Sequence, residues 1–155
     1  MSSFFLSLIL FILLLLPTQS FGNKLILFTD DDPYGKVNQE KNWYIAYGEP
    51  AFANFYDLKV PEKFFIITPE GEKEKLILLR KELFDPWFNQ PRISYETKIL
   101  PKTSGDYSLC IESEPLLSTK GLIKYYGKAF FHVEREFNWD KLCGFDLEIK
   151  PFTRP

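Results

Sequence analysis

The sequence predicts an all-β protein, an antiparallel β-sandwich placed after an N-terminal leader. Three observations predict it. Short apolar or alternating segments, about eight of them, recur between turn signals, with no amphipathic helix of usable length. Aromatic residues make up 17% of the chain, and such rings suit half-buried strands and the core between sheets. Between Lys98 and Glu112 a strand ends, Pro101 to Asp106 turn, and a second strand begins at Tyr107. Gly105-Asp-Tyr107 at the mouth of that strand has the pattern of a tyrosine corner, in which the ring packs inside and its hydroxyl bonds back to the upstream turn. A plain hairpin with a core tyrosine is the alternative.

In chain order, Phe4 to Leu16 is an apolar run, followed by Pro17-Thr-Gln19 and Ser20-Phe-Gly22. Small residues at Ser20 and Gly22 fit a secretory cleavage site. The run is short for a membrane span, which needs roughly 20 apolar residues. Residues 1–22 therefore read as a signal peptide, and an uncleaved anchor is the alternative. The mature chain, 23–155, has a length suited to one domain. A first strand covers Lys24 to Phe28, and Thr29 to Gly35 reads as a turn-rich, solvated loop. Trp43 to Tyr47 is a short strand that runs into the Pro- and Gly-broken stretch Gly48 to Asn54.

Lys63 to Thr68, the turn Pro69 to Glu72 and Lys75 to Leu79 form a predicted hairpin. Leu83 to Pro91 reads as an irregular aromatic segment. Its Phe84, Trp87 and Phe88 either cover a sheet end, the favoured expectation, or line a shallow binding surface. Ile93 to Leu100 alternates apolar and polar residues, as a half-buried strand does. Tyr107 to Ser113 is the next strand. Leu122 to Val133 reads as one long strand with a bulge at Gly127. Glu134 to Lys141 is a charged loop, and Phe145 to Ile149 is the last strand.

Several chemistries find no support. The formal charge is −2, which gives no electrostatic case for nucleic acid. There is no Gly-x-Ser-x-Gly elbow and no phosphate-binding glycine loop. The single histidine, His132, has no identifiable catalytic partner. The carboxylates are scattered over turns and strand faces. An enzyme is thus not expected. Cys110 and Cys143 are the two cysteines. Export would permit a disulfide between them, and two free thiols are the alternative. Cys110 lies three residues after Tyr107, so strand alternation puts the two on opposite faces.

Ordered segments of the chain resemble a known family. The longest is Phe137-Asn-Trp-Asp-Lys-Leu-Cys-Gly-Phe-Asp-Leu-Glu-Ile-Lys-Pro-Phe-Thr-Arg-Pro155, and Lys59-Val-Pro-Glu-Lys-Phe-Phe65 with its following turn is another. Pro101 with Gly105-Asp-Tyr107, Tyr125-Tyr-Gly-Lys128 and Leu27 to Asp32 complete the set. Together they resemble the periplasmic auxiliary proteins of nickel and cobalt uptake, found beside energy-coupling-factor-type transporters and otherwise catalogued as a domain of unknown function. The resemblance implies an immunoglobulin-like β-sandwich, a periplasmic or secreted location, Ni²⁺ or Co²⁺ as ligand, and an inner-membrane nickel/cobalt transporter as partner.

The departures concern the metal. Asn23 and Lys24 stand where the family often has a histidine near its new amino terminus. Glu49-Pro-Ala-Phe52 stands for a His-Pro-Phe motif, and Tyr125 for the histidine of a His-Tyr-Thr-Lys block. Imidazole suits these ions, and each matched position lacks it. Asn23, through a freed α-amino group, and Glu49 are the ligands left, which describes a degraded metal site. The expected function is an exported, non-enzymatic binding protein of this kind. The alternative is a metal-independent module that binds an envelope protein through Phe84, Trp87 and Phe88, since aromatics anchor interfaces.

Overall fold

The computed structural model describes residues 24–29, 34–49, 54–118, 121–135, 141–146 and 148. The leader, Asn23, the Pro50 to Ala53 stretch and most of the loop around Trp139 lie outside them. The described residues form strands and no helix. One sheet has the order β1 (Lys24–Thr29), β3 (Lys41–Glu49), β8 (Gln90–Ile99) and β7 (Leu79–Asp85), with β4 (Asn54–Tyr56) paired to β3. A second sheet has the order β2 (Tyr34–Gly35), β12 (Tyr126–Val133), β9 (Gly105–Glu112), β5 (Lys63–Ile67) and β6 (Lys73–Lys75). A separate hairpin joins β10 (Leu116–Ser118) to β11 (Gly121–Ile123). All pairings are antiparallel except the two-residue contact of β2 with β12.

The layers share one core because their strands alternate. Trp43 and Ile45 of β3 and Tyr95 and Ile99 of β8 meet Phe64 and Ile66 of β5 in one buried cluster. Tyr107, Leu109 and Ile111 of β9 and Phe131 and Val133 of β12 complete it. Phe131 is fully buried, stacked on Tyr107 at 5.0 Å and tilted on Trp43 at 5.8 Å. Cutting such a ring back to alanine costs about 3–5 kcal/mol. Gly127 stands where β1 crosses over β12. A Cβ there would meet Ile111 Cγ2 at 2.6 Å and Leu27 Cδ1 at 3.2 Å, so glycine permits the close approach. Its ladder to β9 runs unbroken from Tyr126 to His132, and the expected bulge is not present.

β9 is buried along its whole length, because both of its faces are covered. Residues 141–146 lie over the outer face. Cys143 is bonded to Cys110, and Ile67, Phe65 and Phe145 pack around the disulfide. Cys110 thus faces away from the core that holds Tyr107, as alternation requires. Lys141 Nζ donates to the Asp106 carbonyl at 3.0 Å. Glu148 accepts from the amides of Cys143 (2.8 Å) and Gly144 (3.0 Å) and pairs with Lys128.

Four sequence expectations are corrected. Leu83 to Pro91 is no irregular stretch: β7 and β8 form a continuous hairpin across it, with Phe84 opposite Pro91. Pro91 is tolerated because β3 pairs with β8 only from Tyr95 onward, and a strand position with one neighbour needs one fewer donor. The expected strand Lys75 to Leu79 is divided between β6 and β7. The expected long strand Leu122 to Val133 breaks at Lys124 and Tyr125, where the Ser113 hydroxyl takes the Tyr125 amide at 2.9 Å. Of the expected strand Phe145 to Ile149, the described residues Phe145, Asp146 and Glu148 belong to no strand, and Leu147 and Ile149 lie outside the described residues. The described strands number twelve, more than the eight expected.

Candidate functional site

The β7–β8 hairpin ends in Pro86-Trp-Phe-Asn89, and its geometry is set by Asp85. That carboxylate is fully buried. Its Oδ1 accepts from the Trp87 amide at 2.9 Å and the Phe88 amide at 3.3 Å, and its Oδ2 accepts from Arg92 Nε at 3.4 Å. Asp followed by Pro is a favoured start for such a turn, since the carboxylate bonds amides two and three residues on. Asn89 takes a φ of 49°, a conformation that Asn tolerates better than most residues. Arg92 lies over the Phe88 ring at 5.4 Å.

The turn therefore holds its rings outward. Phe84, Trp87 and Phe88 are 58%, 66% and 57% exposed, so they do not cover a sheet end, and that expectation is overturned. The reason is the register: the tip extends past Tyr95, the last residue of β8 that pairs with β3. Sequence reading named the three rings and missed Asp85. The Asp85-Pro86 pair was the available signal.

What can three such rings do? Each buries about 150–250 Å² when covered. Covering their exposed parts is worth on the order of 9 kcal/mol gross at about 25 cal/mol/Å². Association itself costs roughly 4–15 kcal/mol. The tip can therefore anchor a contact that needs a surrounding rim, and by itself gives no tight complex.

The positions singled out for a metal lie elsewhere. Lys24 pairs with Gly48, and Glu49 pairs with Asn54 at the end of β3. Gly48 is required by that pairing, since a Cβ would sit 2.2 Å from the Asn54 carbonyl oxygen. Asn23 is outside the described residues. Tyr125 accepts a hydrogen bond from the Tyr47 hydroxyl at 3.0 Å. Among the described residues no group of three His, Cys, Asp or Glu side chains is placed to hold a metal ion. His132 is buried and pairs through Nδ1 with the buried Asp106, with Tyr34 stacked on it at 5.1 Å.

Glu112 is nearly buried between Lys63 (2.9 Å) and Lys124, and Lys124 also reaches Glu62 at 2.8 Å. Burial alone would raise the Glu112 carboxyl; the hydrogen bonds from Lys124 and Lys63 outweigh it and hold it below the usual carboxylate range. A cavity of about 310 Å³ opens between the layers beside Tyr47 and Tyr125. Among the described residues no helix is long and apolar enough to cross a membrane. Comparison of the chain with protein-family models, with curated proteins and with solved structures returns no match.

Proposed function

We propose that the chain is an exported, non-enzymatic binding protein, with residues 23–155 as one immunoglobulin-like β-sandwich domain and the β7–β8 tip as its contact surface for an envelope protein. One observation carries this reading: Phe84, Trp87 and Phe88 are exposed together on a turn that the buried Asp85 fixes. Exposed aromatic groups on a fixed support are what an interface anchor requires, because little ordering entropy remains to be lost on binding. Support for the fold comes from the shared core of the two layers and from the Tyr107 hydroxyl. It donates to the Thr103 carbonyl at 3.0 Å and accepts from the Thr103 amide at 3.2 Å, as in a tyrosine corner.

The test is saturable binding of the mature protein to the envelope fraction of its source cells. Wild type should co-sediment, and protease treatment of the envelope beforehand should abolish the binding. The triple variant Phe84→Ser, Trp87→Ser, Phe88→Ser should fold normally and lose at least tenfold in affinity. Equal binding by the triple variant would refute the assignment.

The β1–β3 register favours a second reading, drawn from the nickel/cobalt resemblance, because it sets the residue after Asn23 opposite the residue before Glu49. In it Asn23 and Glu49 hold Ni²⁺ or Co²⁺ for a transporter partner. Two such ligands make a poor site. Titrating Ni²⁺ into protein beginning at Asn23 should thus give the same weak binding in wild type and in Glu49→Ala. Micromolar binding that Glu49→Ala weakens would establish the second reading instead.

A further inference from the structure

The cavity beside Tyr47 lies at the end of the two layers, where β3 leaves β8 and pairs with β4. Leu25, Tyr47 and Leu58 line it from one side, and Tyr125, Leu116 and Ile123 from the other. Its volume of about 310 Å³ equals roughly ten waters of liquid, at the lower end of the range of small-molecule sites. The β10–β11 hairpin forms part of its wall and pairs with neither large sheet. Both strands of that hairpin are tied at the base through Ser113. Its amide donates to the Tyr125 carbonyl, and its hydroxyl accepts from the Tyr125 amide, each at 2.9 Å. Beyond that base the hairpin keeps its own three pairs and exposes Leu117 and Leu122, at 85% and 74%. Its two strands present an apolar surface.

The polar groups define the ligand further. Tyr125 accepts its bond from Tyr47, and its own hydroxyl proton meets no acceptor among the described residues. At the rim stand Lys59, Asp57 and Glu114, and Asp57 is held by the Ile93 amide at 2.8 Å. A rim of both signs selects neither a cation nor an anion, and the apolar walls select an uncharged body.

We infer that this cavity binds a small, uncharged, mostly apolar molecule with one acceptor oxygen, which receives the Tyr125 hydroxyl while the β10–β11 hairpin covers the apolar part. The site is separate from the hairpin tip and stands independently of the function assigned to it.

The uncharged naphthalene dye prodan tests this, because its single ketone is an acceptor and its emission reports both apolar burial and hydrogen bonding. The full mature protein should bind one dye with micromolar affinity and a blue-shifted emission. Ile123→Trp, which fills the cavity, should abolish binding. Tyr125→Phe keeps the shape and removes one hydrogen bond, usually worth about 0.5–1.5 kcal/mol, so binding should weaken roughly 2- to 12-fold with a further blue shift. Absence of saturable binding would overturn the inference. So would binding that survives Ile123→Trp and is lost in Trp87→Ser, which puts the dye at the tip. Unchanged affinity and emission in Tyr125→Phe would overturn the assigned donor.

Discussion

Asp85 shows how one side chain turns apolar residues into a presented surface. A fully buried carboxylate is costly unless its oxygens are satisfied, and here two amides and a guanidinium satisfy them. Removing it leaves those donors without a partner, at about 1–3 kcal/mol for each one that water cannot reach. Asp85→Ala should therefore lower the thermal midpoint and weaken envelope binding, although no ring is altered. Asp85→Asn, which keeps an accepting oxygen, should recover part of both losses. Thermal unfolding alongside co-sedimentation checks this, and full binding by Asp85→Ala would show that the turn need not be fixed. At this scale the sequence was legible where a residue's role is local. The Tyr107 bond to Thr103 follows from Gly105-Asp-Tyr107, and the opposed faces of Tyr107 and Cys110 follow from strand alternation. The exposure of Phe84, Trp87 and Phe88 was not legible, because it depends on how far β3 runs beside β8.

Among the elements, residues 141–146 and Glu148 are held by the Cys110–Cys143 bond, by Lys141 on the Asp106 carbonyl and by Glu148 on two amides and Lys128. Burial would raise the Glu148 carboxyl, but the hydrogen bonds from Lys128, Cys143 and Gly144 hold it low. Glu112 is likewise held low, by Lys124 and Lys63 against burial. A carboxyl whose folded value is depressed stabilises the fold above its unfolded value, near 4.5 for both residues. That stabilisation is lost as pH falls through the lower folded value. The urea midpoint should therefore drop between about pH 5 and pH 3, and Glu148→Gln should make the drop shallower. A midpoint independent of pH over that window would contradict this role. Periodicity found most strands and failed at their breaks. The division between β11 and β12 rests on the Ser113 hydroxyl, a contact with no periodic signature. Pro91 reads as a breaker until the missing β3 neighbour is known.

For the whole molecule, short apolar or alternating segments between turn signals were enough to predict an all-β chain of antiparallel strands, and in the structure β3, β5, β8, β9 and β12 each send alternate residues into one cluster. The tip and the cavity were harder to read, since both are made by departures from regular pairing: β8 outruns β3, and β10–β11 joins neither sheet. The segments that resemble nickel/cobalt-uptake proteins do not include the aromatic hairpin. The central claim, that this hairpin is the contact surface, is tested most directly by photo-crosslinking in the source cells. A benzophenone amino acid is placed at position 84 and, as a control, at position 74 of the exposed strand β6. The account predicts one dominant crosslinked protein from position 84, lost when Trp87→Ser is added, and none from position 74. No crosslink from position 84, or the same product from both positions, would contradict it.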